Sequence, residues 1–356
     1  MAMLRLIRTL RFEGTIMTRH LATHDPLAPL YYPTSVVLVD DDPDHLHAMT
    51  VALQGEFQCF SFRCASDAID HVRAQSLTFG ASIAAATVPP LGALEHIRDP
   101  GERAMHLKAS RLPHVFADAS RFARSSVIVG VQATAGQIFA QELRDLPLQK
   151  LLLLDDAGSG RAAQALRARL VDAVGPISSN GTYQTLADHL RRLQLEFFRD
   201  LTSPIEPALA RADTRFLLDP AVHAAFTAFV SNHAIIEYCA CMHPPGILGL
   251  DRAGTPVLMI VVDDDYRQAS FEIAHAERAP TELLRRLAHG DALAVFPTRN
   301  GFYADGLAGD WRDCLWDASK LGDNGWYSAI IDEPDVTRIV CGSIASFDSY
   351  RRHRLC

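Results

Sequence analysis

The sequence predicts an α/β fold in which a doubly wound, five-stranded parallel sheet with an insertion precedes a small α+β domain. Continuous apolar runs alternate with amphipathic segments as far as residue 178, which indicates parallel strands joined by helical crossovers. A stretch with several prolines and mixed charge, 75–122, interrupts that alternation and predicts the insertion. The length of 356 residues suits two domains better than one.

The predicted strands of the first domain are apolar runs closed by turn residues, as expected for strands buried on both faces. A helix follows the first strand, because Leu46, Met49 and Leu53 recur at helical spacing and Gly55 can end the helix. The first domain is thereby predicted to span 34–180. In chain order its strands are SVVLV (35–39), FQCFSF (57–62), SSVIVGV (125–131), QKLLLL (149–154) and VDAVGPI (171–177).

The helix after the fifth strand carries an apolar stripe. Leu186, Leu190, Leu193 and Phe197 follow one another at steps of 4, 3 and 4, which is heptad spacing. Two interpretations are open and can both hold: the stripe covers the sheet as its fifth helix, or it extends into the interface of a homodimer.

The remaining boundaries follow from turn and linker signals. A connecting helix and proline-marked linker, 181–215, leads to an output domain of antiparallel character, 216–340, whose clearest feature is a hairpin with the turn DRAGTP. Residues 311–316 predict a Trp-containing loop and short helix, and Asp263 to Asp265 predict a solvated turn. Residues 1–33 form an N-terminal extension in which Met17 is a possible true start, and 341–356 form a C-terminal tail.

The charge distribution argues against a DNA-binding output domain. The net charge is −8, and residues 205–356 hold 14 Lys and Arg against 21 Asp and Glu, whereas phosphate backbones are bound chiefly by basic side chains. No apolar run reaches the roughly 18 to 20 residues of a membrane helix. Seven scattered cysteines indicate reduced thiols. We therefore expect a cytoplasmic protein that binds neither a membrane nor DNA.

Two consecutive acids, Asp40 and Asp41, end the first strand in the motif VDDDP. In an open doubly wound sheet the functional site lies at the carboxyl ends of the strands. A pair of carboxylates with no cationic neighbour requires a metal to hold both charges, and hard oxygen ligands suit Mg²⁺. The pattern therefore predicts the acidic part of a Mg²⁺ site.

This motif and the strand order resemble the receiver domain of two-component response regulators, a flavodoxin-like fold. The resemblance implies an Asp acceptor at the end of strand 3, a Thr or Ser at the end of strand 4 and a Lys at the end of strand 5. Here the corresponding positions hold Gly130 and Leu154, and 151–180 contains no Lys. The phosphoacceptor position is thus not phosphorylatable, and Asp40 and Asp41 become a vestigial or weak Mg²⁺ site.

A second register is possible. If LLLLDD were itself strand 3, Asp155 would be the acceptor. That register needs two further strands before the long helix, and only VDAVGPI is available.

A narrower resemblance covers about residues 31 to 335. The segments YYPTSVVLVDDD, RFARSSVIV, LRRLQLEFF and IIEYCACMHPPGILGLDRAGTPVLMIVV are similar to the quorum-sensing response regulators of the Lqs type. That family implies a receiver with such an insertion, an output domain that is not a helix-turn-helix, and partners such as a sensor kinase or another response regulator in a phosphorelay. The family's strand 3 reads V-I-V-D-Y where this chain has V-I-V-G-V.

The same resemblance implies an output domain shaped like restriction nucleases, which bind Mg²⁺ through acids on successive strands. Glu237 and Asp251 are the candidate ligands here, although the strand VLMIVV offers neither Glu nor Lys. The leading hypothesis is a non-enzymatic pseudo-receiver that signals through protein or small-ligand contacts without a cofactor. The alternative is a metal-dependent nuclease-like or nucleotide-acting enzyme in the output domain.

Overall fold

The computed structural model divides the chain into two compact units. The first comprises 1–24, 34–79 and 123–200, and the second comprises 25–33, 80–122 and 201–356. The residues that the structure describes are 17–18, 27–84, 111–131, 142–143, 146–154, 159–177, 183–203, 215–242, 244–296, 311–340 and 342–355.

The described residues form the following elements, numbered in chain order. The strands are β1 (Met17–Thr18), β2 (Leu30–Tyr31), β3 (Ser35–Val39), β4 (Gln58–Phe62), β5 (Ser125–Val131), β6 (Gln149–Leu154), β7 (Ala173–Pro176), β8 (Glu237–Met242), β9 (Pro245–Leu250), β10 (Pro256–Asp263), β11 (Ala292–Ala294), β12 (Leu315–Leu321) and β13 (Trp326–Asp332). The α-helices are α1 (Pro43–Leu53), α2 (Ala65–Ala84), α3 (Ser159–Arg167), α4 (Tyr183–Thr202), α5 (Pro220–Asn232), α6 (Asp264–Ala276), α7 (Thr281–His289) and α8 (Phe347–Leu355).

The first unit contains the predicted parallel sheet. Its strand order is β1-β7-β6-β5-β3-β4, in which β3 to β7 are parallel and the short β1 runs antiparallel to β7 at the outer edge. Because β5 pairs with both β3 and β6, SSVIVGV is the third strand of the parallel sheet and LLLL the fourth. The predicted doubly wound fold is confirmed, and the second register is not the one that forms.

Apolar layers cover both faces of this sheet. On one face α1 and α4 pack over β3, β5 and β6, and on the other α2 packs over alternate residues of β3, β4 and β5. The stripe of α4 lies in the first layer, since Leu190 and Leu193 are fully buried there. The stripe therefore covers the sheet, and its extension into a homodimer interface stays a prediction.

The second unit is the predicted α+β domain. Its sheet has the strand order β11-β12-β13-β10-β9-β8-β2, and all of the neighbouring strands are antiparallel. The predicted hairpin is β9–β10, in which Pro256 pairs with Leu250 beside the turn. Helix α7 ends at Gly290, which adopts φ 76° and packs against the ring of Tyr327.

Of two local predictions in this unit, one was correct in part and one was wrong. The predicted short helix forms at Trp311–Cys314, whereas Trp316 lies in β12, which pairs with both β11 and β13. The three acids do not form a solvated turn: Asp263 caps α6 by accepting the backbone N–H of Tyr266, and the next two acids lie in its first turn. Negative charge there is favoured by the helix dipole.

The unit boundaries differ from the predicted domains in three segments. The described end of the insertion, 111–122, belongs to the second unit, as does the tail after residue 341. The predicted N-terminal extension contributes β2, which pairs with β8, and the neighbouring Tyr32 is fully buried. Among the described residues, no helix combines the length and apolarity needed to cross a membrane.

Candidate functional site

The predicted acidic pair lies at the carboxyl edge of the parallel sheet, directly after β3. Asp40 is 3% exposed, whereas Asp41 is open to solvent. The backbone N–H of Asp40 donates to the carbonyl oxygen of Phe62, which brings the end of β4 alongside. The two acids are therefore in different environments although they are adjacent in sequence.

Both carboxylate oxygens of Asp40 already have hydrogen-bond partners. Its Oδ1 accepts the backbone N–H of Asp42 at 3.1 Å, and its Oδ2 lies 2.5 Å from Nδ1 of His45. His45 is held in this position because Asp42 caps α1 and accepts its backbone N–H. The side chain that satisfies Asp40 is thus a histidine of the first helical turn, which the sequence reasoning did not single out.

The phosphoacceptor position lies at the same edge. Gly130 is buried in β5 and pairs with Val39 on one side and Leu152 on the other. No carboxylate is available at this position to join Asp40 and Asp41. Within the described residues no group of three or more His, Cys, Asp or Glu could hold a metal, so this donor set does not fit the Mg²⁺ site that the receiver fold implies.

Leu154 occupies the position of the expected hydroxyl at the end of β6. It is 3% exposed and packs in an apolar cluster with Leu152, Val171 and Val174. A hydroxyl aimed at a phosphoryl group would have to face the sheet edge, whereas this side chain stabilises the core. Asp155 lies outside the described residues.

A thiol that the sequence reasoning passed over also lies near this edge. Cys64 is exposed and stands just before α2, following the end of β4. Hydrogen bonds from the side chain and backbone of Ser66, and from the backbone of Asp67, lower the pKa of this thiol. A thiol in this environment is more readily ionised than an ordinary cysteine.

The second candidate site, in the output unit, is differently built. Glu237 begins β8 and is fully buried, and its Oε2 accepts hydrogen bonds from Nε and Nη2 of Arg121 at 2.8 Å. Burial raises the pKa of Glu237 to about 7, although the Arg121 guanidinium opposes that rise. The carboxylate is therefore bound to a permanently charged arginine.

The other candidate ligand, Asp251, stabilises a turn. Its Oδ1 accepts the backbone N–H of Thr255 at 2.8 Å, and its backbone closes the same turn between β9 and β10. Glu237 pairs directly across the strands with Leu250, so Asp251 is one residue out of register with it. The two candidate acids therefore have separate partners, Arg121 for Glu237 and the turn backbone for Asp251.

A parallel five-stranded sheet with two acids at its carboxyl edge, joined to an antiparallel α+β unit, has the fold of a two-domain response regulator. A solved structure that the chain resembles along most of its length is "Structure of the Legionella pneumophila response regulator LqsR". The TM-score is 0.68 at 18% sequence identity, and the match covers 92% of this chain and 97% of LqsR. The predicted resemblance to the Lqs type is thereby confirmed for the fold.

Two further solved structures match with low scores. The BeF3-activated DrrB receiver domain gives a TM-score of 0.26 at 13% identity, covering 45% of this chain and 97% of its own. An adenylate cyclase from Rhodopirellula baltica gives 0.29 at 14% identity, covering 51% and 99%. TM-scores this low do not show a shared fold. No protein-family model and no curated protein matches the chain.

Proposed function

We propose that this protein is a response-regulator-like signalling protein whose receiver works without aspartyl phosphorylation and whose output unit acts by binding another protein or a small ligand. The observation that carries the proposal is Gly130, buried in β5 beside Val39 where the receiver fold calls for the nucleophilic carboxylate. Phosphoryl transfer to a carboxylate requires that nucleophile.

The surroundings of Gly130 support the same proposal. Leu154 fills the hydroxyl position with an apolar side chain that packs in the core. At Asp40 the carboxylate has His45 as an internal partner. Two positions of the phosphorylation machinery, Gly130 and Leu154, therefore lack the functional group that the receiver pattern requires, and a third, Asp40, already has a partner within the chain.

The fold of LqsR, a response regulator, supports assignment to the signalling class. The pairing of Glu237 with Arg121 removes the main support for an enzymatic output unit. We accordingly propose protein partners, including a second copy of this chain, in preference to a chemical substrate.

Sedimentation velocity tests the proposal on the full chain with and without acetyl phosphate and Mg²⁺. We expect the sedimentation coefficient of the wild type to be unaffected by either reagent. A reversible change in the wild type on adding acetyl phosphate would contradict a phosphorylation-independent receiver.

The variant Gly130→Asp, with Gly130→Asn as its uncharged control, distinguishes two reasons why the receiver would not respond to phosphorylation. If acetyl phosphate changes the sedimentation coefficient of Gly130→Asp alone, the missing acceptor carboxylate is sufficient to explain why the wild type does not respond. If neither responds, Leu154 and the missing Lys have fixed one state of the receiver as well.

A further inference from the structure

The last segment of the second unit, residues 342–355, is held in place by the rest of that unit; we call it the C-terminal strap. Helix α8 at its end has nine residues, of which most are polar. Isolated helices shorter than about 12 residues are marginal in water. The order of the strap therefore depends on the groups to which it is attached.

The principal attachment is Arg121, whose side chain is fully buried. Its Nη1 donates to the carbonyl oxygens of Phe116 and Asp118 at 3.0 Å, and its Nη2 donates to the carbonyl of Ala345 at 2.6 Å. With the hydrogen bond from Nε to Glu237, the guanidinium makes four hydrogen bonds, and its Nη2 also lies 2.8 Å from Oε2 of Glu237. One of these four hydrogen bonds holds the strap.

An aromatic cluster continues the attachment. The guanidinium carbon of Arg121 lies 4.0 Å from the ring centroid of Phe122, and the other contacts of that ring are Phe347 and Tyr350 of the strap, both at 5.2 Å. In addition, the backbone N–H of Ala345 donates to the carbonyl of Phe116. Residues 116–122 are thus the surface on which the strap is seated.

We propose that Arg121 is a latch and that the C-terminal strap is a detachable cover, so that the second unit has a closed state and an open state. In the closed state Glu237 Oε1 is buried and has no hydrogen-bond partner among the described residues. An unsatisfied buried acceptor costs about 1–3 kcal/mol. The closed state is therefore less stable than one in which this oxygen has a hydrogen-bond partner.

The position of the latch in the chain connects it to the receiver. Three residues, 122–124, separate Arg121 from Ser125, where β5 begins. Ser125 is itself anchored in the first unit, because its N–H donates to Oε1 of Gln75 and its hydroxyl bonds the hydroxyl of Ser35. Arg121 and the beginning of β5 are therefore close in sequence.

Hydrogen exchange followed by mass spectrometry on the full chain tests the latch. Arg121→Lys keeps the charge but offers three donors in place of five. We expect amides of 345–355 to exchange at least about tenfold faster, the loss of one charge-assisted hydrogen bond, while β9 and β10 are unchanged. Arg285→Lys, in a surface pair with Glu282, is the matched control and should change nothing.

Two results would overturn the proposal. Unchanged exchange in 345–355 would show that Arg121 does not hold the strap, and equal acceleration in β9 and β10 would show that it stabilises the whole unit instead. If Arg121→Lys fails to fold, a chain that ends at Val340 decides the question. The proposal requires that chain to keep the fluorescence of its folded state, whereas a collapsed second sheet would contradict a detachable cover.

Discussion

Two buried carboxylates, one in each unit, occupy the positions where the sequence suggested metal ligands. Asp40 at the edge of the first sheet contacts His45, whose side chain is 22% exposed. Glu237 in the second sheet contacts Arg121, and both side chains are completely buried. Each carboxylate has an internal basic partner, but only the first partner is close to water.

The difference suggests different roles for the two carboxylates. Asp40 belongs to a degenerate receiver site, whereas Glu237 holds segments of the second unit together. At the first sheet edge Asp41 remains exposed to solvent beside the buried Asp40. At Glu237 the guanidinium of Arg121 also bonds to Phe116 and to Ala345, so the pair joins three segments of the second unit. Removing either group should therefore have a much larger effect in the second unit than in the first.

The largest effect is expected at the buried pair. Arg121→Ala leaves Glu237 without a counter-charge, and breaking such a pair costs about 3–5 kcal/mol. Chemical denaturation followed by tryptophan fluorescence measures this in the second unit alone, because Trp311, Trp316 and Trp326 are the three tryptophans of the chain and all lie there. A loss below about 1 kcal/mol would show that the pair does not lock the unit.

The pH dependence of the same transition gives the next largest effect. The pKa of Glu237 is about 7 in the folded chain and 4.5 without burial, so its stabilising contribution is complete below pH 4.5 and is lost as the pH rises through 7. The free energy of unfolding of the wild type should fall relative to Glu237→Gln between pH 5 and pH 8, on the order of 3 kcal/mol at most. A difference between the two proteins that does not vary with pH would contradict the raised pKa.

A smaller contrast is expected between the two acids of the first unit. Asp40→Ala removes the acceptor of two hydrogen bonds and should cost about 1–3 kcal/mol. Asp41→Ala removes one exposed charge beside Asp40 and Asp42 and should raise stability by no more than about 0.5 kcal/mol. Amide exchange in β3 and β5 reports both values. A clear loss in Asp41→Ala, accompanied by Mg²⁺ protection of the wild type, would show a working metal site.

The last contrast is between the solvent accessibilities of two cysteine thiols, and it requires no change in the stability of the protein. Cys64 near the first sheet edge is exposed with a lowered pKa, whereas burial raises the pKa of Cys239, two residues after Glu237, well above its usual value. Iodoacetamide at neutral pH should therefore alkylate Cys64 quickly and leave Cys239 unmodified in the native protein. Rapid modification of Cys239 would show that the second unit opens far more often than its packing indicates.

Local sequence patterns predicted the elements that local forces determine. The run SVVLV and the spacing of Leu46, Met49 and Leu53 were sufficient for β3 and α1, because burial and periodicity act within a few residues. The two-residue β2 gave no such signal, since its pairing with β8 joins residues more than two hundred positions apart.

The buried pair could be predicted only in part. Glu237 stands in the apolar run IIEYCACM, and a buried carboxylate there requires a basic partner. The chain has 34 Lys and Arg, and nothing local distinguishes Arg121, which is 116 positions away. His45 was likewise visible in sequence, but its contact with Asp40 depends on the cap at Asp42, which fixes the first turn of α1.

The central claim is that the receiver has no phosphoacceptor, and phosphoryl incorporation measures it most directly. The full chain is incubated with acetyl phosphate and Mg²⁺, and its intact mass is measured beside that of Asp155→Asn, the acid that directly follows β6. We expect no added phosphoryl group in either protein. Incorporation into the wild type that is lost in Asp155→Asn would contradict the account and make Asp155 the acceptor.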